Sequence, residues 1–215
     1  MTKTQRDTYF VRPLEHSDIP TVSLWFMDLD DLSAFDRCMR VPLSRDAAEK
    51  AWSDAVGKDG SNNKYWFAID DKESQMIGII GLESVNLING DAVLAVYIDK
   101  TVRNKGIGIR SAALVLDVAF QQLGLNRMTS YYRADNDVTR YLTERIGFRQ
   151  EGCMRKAWFA GGQHVDMIIV GILRQEWMER RNMLAKELDT NTVVTFGRHS
   201  SGTWSWPPVD DRDDA

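Results

Sequence analysis

A strand-like run, Asp91 to Asp99, gives way within a few residues to an amphipathic helical repeat, and the junction reads Arg103-Asn104-Lys105-Gly106-Ile107-Gly108. This R-x-x-G-x-G spacing constrains the chain more than any other feature. Glycines let a backbone approach an anion closely, and the unbonded N–H groups of a helix's first turn point at it with the positive end of the macrodipole behind them. Arg103 and Lys105 add formal charge at the same place. A diphosphate is the natural guest, and a glycine-rich turn that merely opens a helix is the plainer alternative. Gly108-Ile109-Arg110 lacks the Lys-Ser/Thr that ends a Walker A loop, and a single Gly-x-Gly does not make the dinucleotide fingerprint.

Around this junction the periodicity sorts the chain into elements. Ile109, Ala112, Ala113, Leu116, Phe120 and Leu123 recur at three- and four-residue spacings, and Gly124 ends that helix. Upstream, Tyr9 to Leu14 is extended, Ser17-Asp18 cap a helix running to Phe26, and a second helix starts near Ser44. After a turn-rich break at Gly57 to Asn63, the runs Lys64 to Ile69, Met76 to Val85 and Asp91 to Asp99 read as an antiparallel meander. Downstream, Asn126 to Ala134 is a strand and Asp135 to Ile146 a helix stopped by Gly147. Phe148 to Phe159 and His164 to Leu173 form a hairpin about Gly161-Gly162, and a charged helix runs from Arg174 to about Leu188. The pattern predicts an α+β fold with a mixed sheet and helices on both faces. Residues 9–180 make the domain, and residues 181–215 the end of a helix and a partly disordered Trp/Pro/Asp tail. Trp204 and Trp206 in that tail are expected to dock on a neighbouring subunit, giving a homodimer, or on the domain's own surface.

Composition excludes several classes. With 215 residues, 43% of them hydrophobic, the chain can hold a core without metal or crosslinks. A formal net charge of −4 argues against binding nucleic acid through clustered cations. Two widely spaced cysteines, Cys38 and Cys153, read as reduced thiols in a cytoplasmic setting. No apolar run approaches the roughly 20 residues that cross a bilayer, so no membrane role is expected.

The junction resembles the acetyl-CoA motif of the GNAT superfamily of N-acetyltransferases, Q/R-x-x-G-x-G/A. A second block, Asn136 to Phe148, is similar to that superfamily's N-x-x-S/A-x-x-L-Y-E-K-x-G-F, and the terminal hairpin looks like the ribosomal-protein and polyamine branch. The resemblance implies a mixed, mostly antiparallel sheet with a V-shaped splay after the strand Asp91 to Asp99. It implies acetyl-CoA as acyl donor, with no metal. Tyr97 and Ile98 would hold the pantetheine arm, an N–H near Val96 would polarise the thioester, and Arg103 to Gly108 would hold the diphosphate. Asn136 and Arg145 would assist the cofactor, Asn136 being equally explained as a helix cap and Arg145 as a solvated side chain.

An amine attacking a thioester must be neutral, and a lysine-like amine with pKa of about 10.4 needs more help from a base than an α-amine near 7.7–8.0. Glu83 is the candidate base, or simply a solvent-facing strand residue. Many family members use the tyrosine of L-Y-E-K as the acid, and Thr143 stands there in this chain. In part of the ribosomal-protein and polyamine branch the serine of N-x-x-S is implicated instead, and the resemblance makes Thr139, which holds that place here, or a bound water the candidate donor. Asp28 and Asp31, with Asp30 and Asp36, would receive a cationic acceptor, or make a solvated acidic face. The acceptor is a small-molecule amine or a protein N-terminus. The different class to weigh is a non-catalytic acyl-CoA-binding module.

Overall fold

The computed structural model describes residues 6–39, 41–53, 55–56, 63–198 and 204–208. Among them nine strands form one sheet, ordered β6-β7-β5-β4-β3-β2-β1-β8-β9. These are β1 (Asp7–Pro13), β2 (Tyr65–Asp70), β3 (Met76–Asn86), β4 (Asp91–Ile98), β5 (Arg127–Arg133), β6 (Arg149–Ala160), β7 (Gln163–Leu173), β8 (Thr192–Phe196) and β9 (Ser205–Trp206). The helices are α1 (Ile19–Trp25), α2 (Leu29–Phe35), α3 (Arg45–Trp52), α4 (Ile107–Asp117), α5 (Asp137–Ile146) and α6 (Arg174–Glu187). Neighbouring strands run antiparallel except β1 with β8 and β4 with β5.

Strand alternation sends side chains to two faces, each covered by helices. On one, Ile19, Val22, Leu32 and Ala48 of α1–α3, with Phe26 just past the end of α1, pack with Trp66, Ala68, Ile79 and Tyr97. On the other, α4, α5 and α6 bring Ala112, Leu116, Ile146, Trp177 and Leu184 onto Ile80, Leu82, Leu94, Met128 and Val170. Residues Ile109 to Asp117 of α4 are all buried, so this helix is enclosed nearly all round. The hairpin turns at Gly161 and Gly162, both with positive φ (57° and 78°), which only glycine adopts without strain.

The segment expected to be a tail joins the sheet instead. Thr192 to Phe196 pair in parallel with Asp7 to Val11, and Ser205-Trp206 pair with Val194-Thr195. Trp206 is fully buried, 5.4 Å from Trp177 between ring centres, so its docking surface is the domain itself. Its indole donates to Asp117 at 2.7 Å, and the same carboxylate accepts from Trp177 (2.9 Å) and Arg181 (2.8 Å). A carboxylate this buried is tolerable because charged and neutral donors surround it. The acidic end, residues 209–215, lies outside the described residues, as does most of the predicted break, residues 57–62.

One seam of the sheet is incomplete. β4 and β5 pair only over Asp91–Val93 and Arg127–Thr129. At the point of parting, the Ser130 hydroxyl donates to the Leu94 carbonyl at 3.1 Å. Beyond it the two strands diverge.

Candidate active site

The direction of the backbone groups in the gap follows from the β3–β4 register. Asp99 N–H bonds to the Ile77 carbonyl, and pairs such as Ile79 with Tyr97 continue that phase. Antiparallel pairs alternate between bonded and non-bonded. Tyr97 therefore commits its backbone to β3, while Val96 and Ile98 turn their N–H and C=O groups toward the gap.

Below the open end of the gap lies the glycine junction. Gly106 is left-handed (φ 70°) and stands as N-cap of α4, and no side chain caps the helix. The N–H groups of its first turn are thus offered outward. Asn104 also has positive φ (69°), and Asn104 and Lys105 are exposed at the mouth. Ile107 is buried. A Cβ on Gly108 would lie 3.4 Å from Leu142 and 3.5 Å from Ile98, so this glycine sits where α4 meets α5 and β4.

Arg103 turns away from that mouth. Its Nε donates to the Ile98 carbonyl at 2.8 Å, its Nη2 to Asp31 at 2.9 Å, and its guanidinium lies 5.3 Å from the Tyr97 ring centre. Asp31 also accepts from the Tyr97 hydroxyl at 2.8 Å. Asp28 caps α2 through the N–H groups of Asp30 and Asp31 and pairs with Lys100 at 2.6 Å. Both acidic side chains expected at the acceptor site are thus engaged by neighbours. Together with Ser33, whose hydroxyl takes a bond from Arg133 at 2.9 Å, they hold α2 across both arms of the splay.

On the same face Glu83 accepts from the Trp66 indole at 2.6 Å and pairs with Lys64 at 3.0 Å, its side chain 27% exposed. Tyr131 is a half-exposed neighbour on β5, its phenol pushed up first by burial and then by the charges of Glu83, Cys38 and Asp36, with Arg37 pulling the other way. Asn136 caps α5 by accepting from Thr139 N–H at 3.0 Å. The Thr139 carbonyl accepts from the buried Thr143 hydroxyl at 2.9 Å. Arg145 bonds Tyr141 at 2.7 Å and approaches Glu187 of α6 at 3.5 Å. Sequence reasoning missed Arg110, whose guanidinium lies directly behind Gly106. A charged residue inside the mostly apolar run Ile109 to Leu116 was the available signal.

Comparison with known proteins bears on the family and the fold. A family model described as "Acetyltransferase (GNAT) domain" matches residues 9–149. The spermidine N(1)-acetyltransferase of Vibrio cholerae serotype O1 is 25% identical over 114 residues, 53% of this chain and 66% of that protein. The ribosomal-protein-serine acetyltransferase of Escherichia coli (strain K12) is 30% identical over 97 residues, 45% of this chain and 54% of that protein. The alignments thus span between about half and two thirds of these relatives. The crystal structure of spermidine N-acetyltransferase from Vibrio cholerae with CoA and spermine superposes with a TM-score of 0.70 at 22% identity, covering 79% of this chain and 98% of that one. That likeness concerns the fold.

Proposed function

This chain belongs to the GNAT acetyltransferase family, and from that premise we propose that it moves the acetyl group of acetyl-CoA to a primary amine by direct attack in a ternary complex. The observation that carries the reading is the parted β4–β5 seam ending at an uncapped helix N-terminus. The backbone groups of Val96 and the N–H of Ile98, turned into the gap, suit a pantetheine amide, and the first turn of α4 with Gly106 and Lys105 suits a diphosphate. The residues present fit the donor, which supplies an activated thioester when bound.

The chain's own residues do the rest. The Val96 N–H, turned into the gap, is placed to steady charge developing on a carbonyl oxygen. Glu83, directly or through water, takes the proton of the amine. Thr139, or a water on it, returns one to the sulfur. Holding donor and acceptor together contributes much of the acceleration. The acceptor is a small-molecule amine or a protein N-terminus, entering from the α1–α3 face. The exposed free thiols Cys38 and Cys153 support a reducing, cytoplasmic setting. The homodimer expectation loses the support of Trp206, which is spent inside the fold.

A second reading, a non-catalytic acyl-CoA-binding module, is favoured by one observation. Thr143 stands where the family motif carries tyrosine, and its hydroxyl is bonded to the carbonyls of Thr139 and Arg140 at 2.9 and 3.0 Å. Thiol release from acetyl-CoA, measured across polyamines, aminoglycosides and peptides with free N-termini, separates the two. Release that no amine accelerates would leave only the binding module.

A further inference from the structure

The cofactor cradle is tied to a part of the chain outside the family-matched residues 9–149. Arg110, one turn into α4, is 1% exposed. Its Nη1 donates to the Gly106 carbonyl at 3.1 Å. Its Nη2 donates to Asp189 twice, at 2.7 Å to the carbonyl and 3.0 Å to the carboxylate. Asp189 lies between α6 and β8, and its other oxygen accepts from the N–H groups of Asn191 and Thr192 at 2.9 and 3.3 Å. One buried cation thus joins the residue that opens α4 to the turn that leads into β8. The packing is close, and an ideal Cβ on Gly106 would collide with Arg110 Nη1.

We propose that Arg110 and Asp189 are positioning residues for the diphosphate cradle, so that the C-terminal segment sets donor affinity. The inference rests on the acetyl-CoA reading above. Gly106 carries the left-handed turn that aims the first N–H groups of α4, and its carbonyl is pinned by a guanidinium that cannot be left without a partner when buried. Removing the Asp189 carboxylate leaves that cation under-satisfied. The guanidinium then shifts toward solvent, and the turn it holds shifts with it. The far end of α4 is clamped separately, by Trp206 on Asp117. The two clamps therefore distinguish positioning from mere stability.

The test uses the full chain, with CoA titrated calorimetrically into the native protein and the variants Asp189→Ala and Trp206→Phe, and with melting points recorded for each. Asp189→Ala is expected to weaken CoA binding about tenfold, a change of roughly 1.4 kcal/mol. Trp206→Phe, which keeps a ring but loses the indole bond, is expected to lower the melting point and leave CoA affinity within about twofold. Unchanged affinity in Asp189→Ala overturns the inference, and so does an equal loss in both variants. A native chain that binds CoA, shows the predicted difference and releases no thiol with any amine overturns the catalytic reading alone.

Discussion

The hydroxyl of Tyr97 donates to Asp31 at 2.8 Å, binding the helix α2 to the strand that borders the open seam. Burial first, and then the Asp31 carboxylate, hold the Tyr97 phenol well above its usual range. It is un-ionised throughout the physiological window and serves as a donor and a ring for Arg103 to rest on. Two aspartates in α2's first turn and cap look like a reception area for cations, yet both are occupied by the protein's own residues.

Asp31→Ala removes the acceptor of both Tyr97 and Arg103. Leaving partly buried donors unmatched costs about 1–3 kcal/mol, so the urea midpoint should fall clearly. A midpoint equal to the native one would show that α2 is held by its apolar contacts alone.

The two glycines of the junction should respond in opposite directions. Gly106→Ala places a Cβ on the left-handed backbone and against a buried guanidinium, so both stability and CoA affinity should drop. Gly108→Ala meets only ordinary contacts at 3.4 and 3.5 Å in the first turn of a helix, where alanine is the better helix former. Its melting point should hold or rise. Equal destabilisation by both changes would contradict the assignment.

Glu83→Gln keeps an oxygen for the Trp66 indole and discards the proton acceptor. In steady-state assays of the responding amine it should lower kcat at least about tenfold with the fold intact, which is about 1.4 kcal/mol of barrier. A turnover loss under roughly threefold would transfer the base role to a water or another group.

Arg127 and Glu151 form a bidentate pair across β5 and β6, lying over Gly171, whose missing side chain gives them room. The bonds from Arg127 hold the Glu151 carboxyl below its usual range. A depressed carboxylate contributes stability that is present above the ordinary glutamate value and lost as pH falls through the lowered one. Urea midpoints followed from about pH 6 down to about pH 3 should therefore fall more steeply in the native chain than in Glu151→Gln. Parallel curves would mean the pair is screened into insignificance.

The strand–glycine–helix junction was legible because its information is local: a period of two, then glycines, then a period of 3.6. The same holds for the Asn136 cap and the Gly161-Gly162 turn. The C-terminal strands were not. β9 has two residues and β8 five, too few for alternation to show, and their place depends on β1 at the opposite end of the chain. Nor does periodicity say which of four nearby aspartates an arginine will meet. Arg103, expected to face an anion, instead reaches Ile98 and Asp31, because the bend after β4 aims it back along the strand. Arg110 was visible only as an anomaly, a charge where a core residue belonged.

A sheet torn along part of one seam has an edge in its interior, which folded proteins otherwise keep at the margins. Amide hydrogens there have no strand to shield them. Those of Val96 and Ile98 should trade with deuterium faster than those of Ala95 and Tyr97, although all four share one strand. An occupant lying in the tear would act as a missing rung, slowing the fast pair and leaving the slow pair as they were.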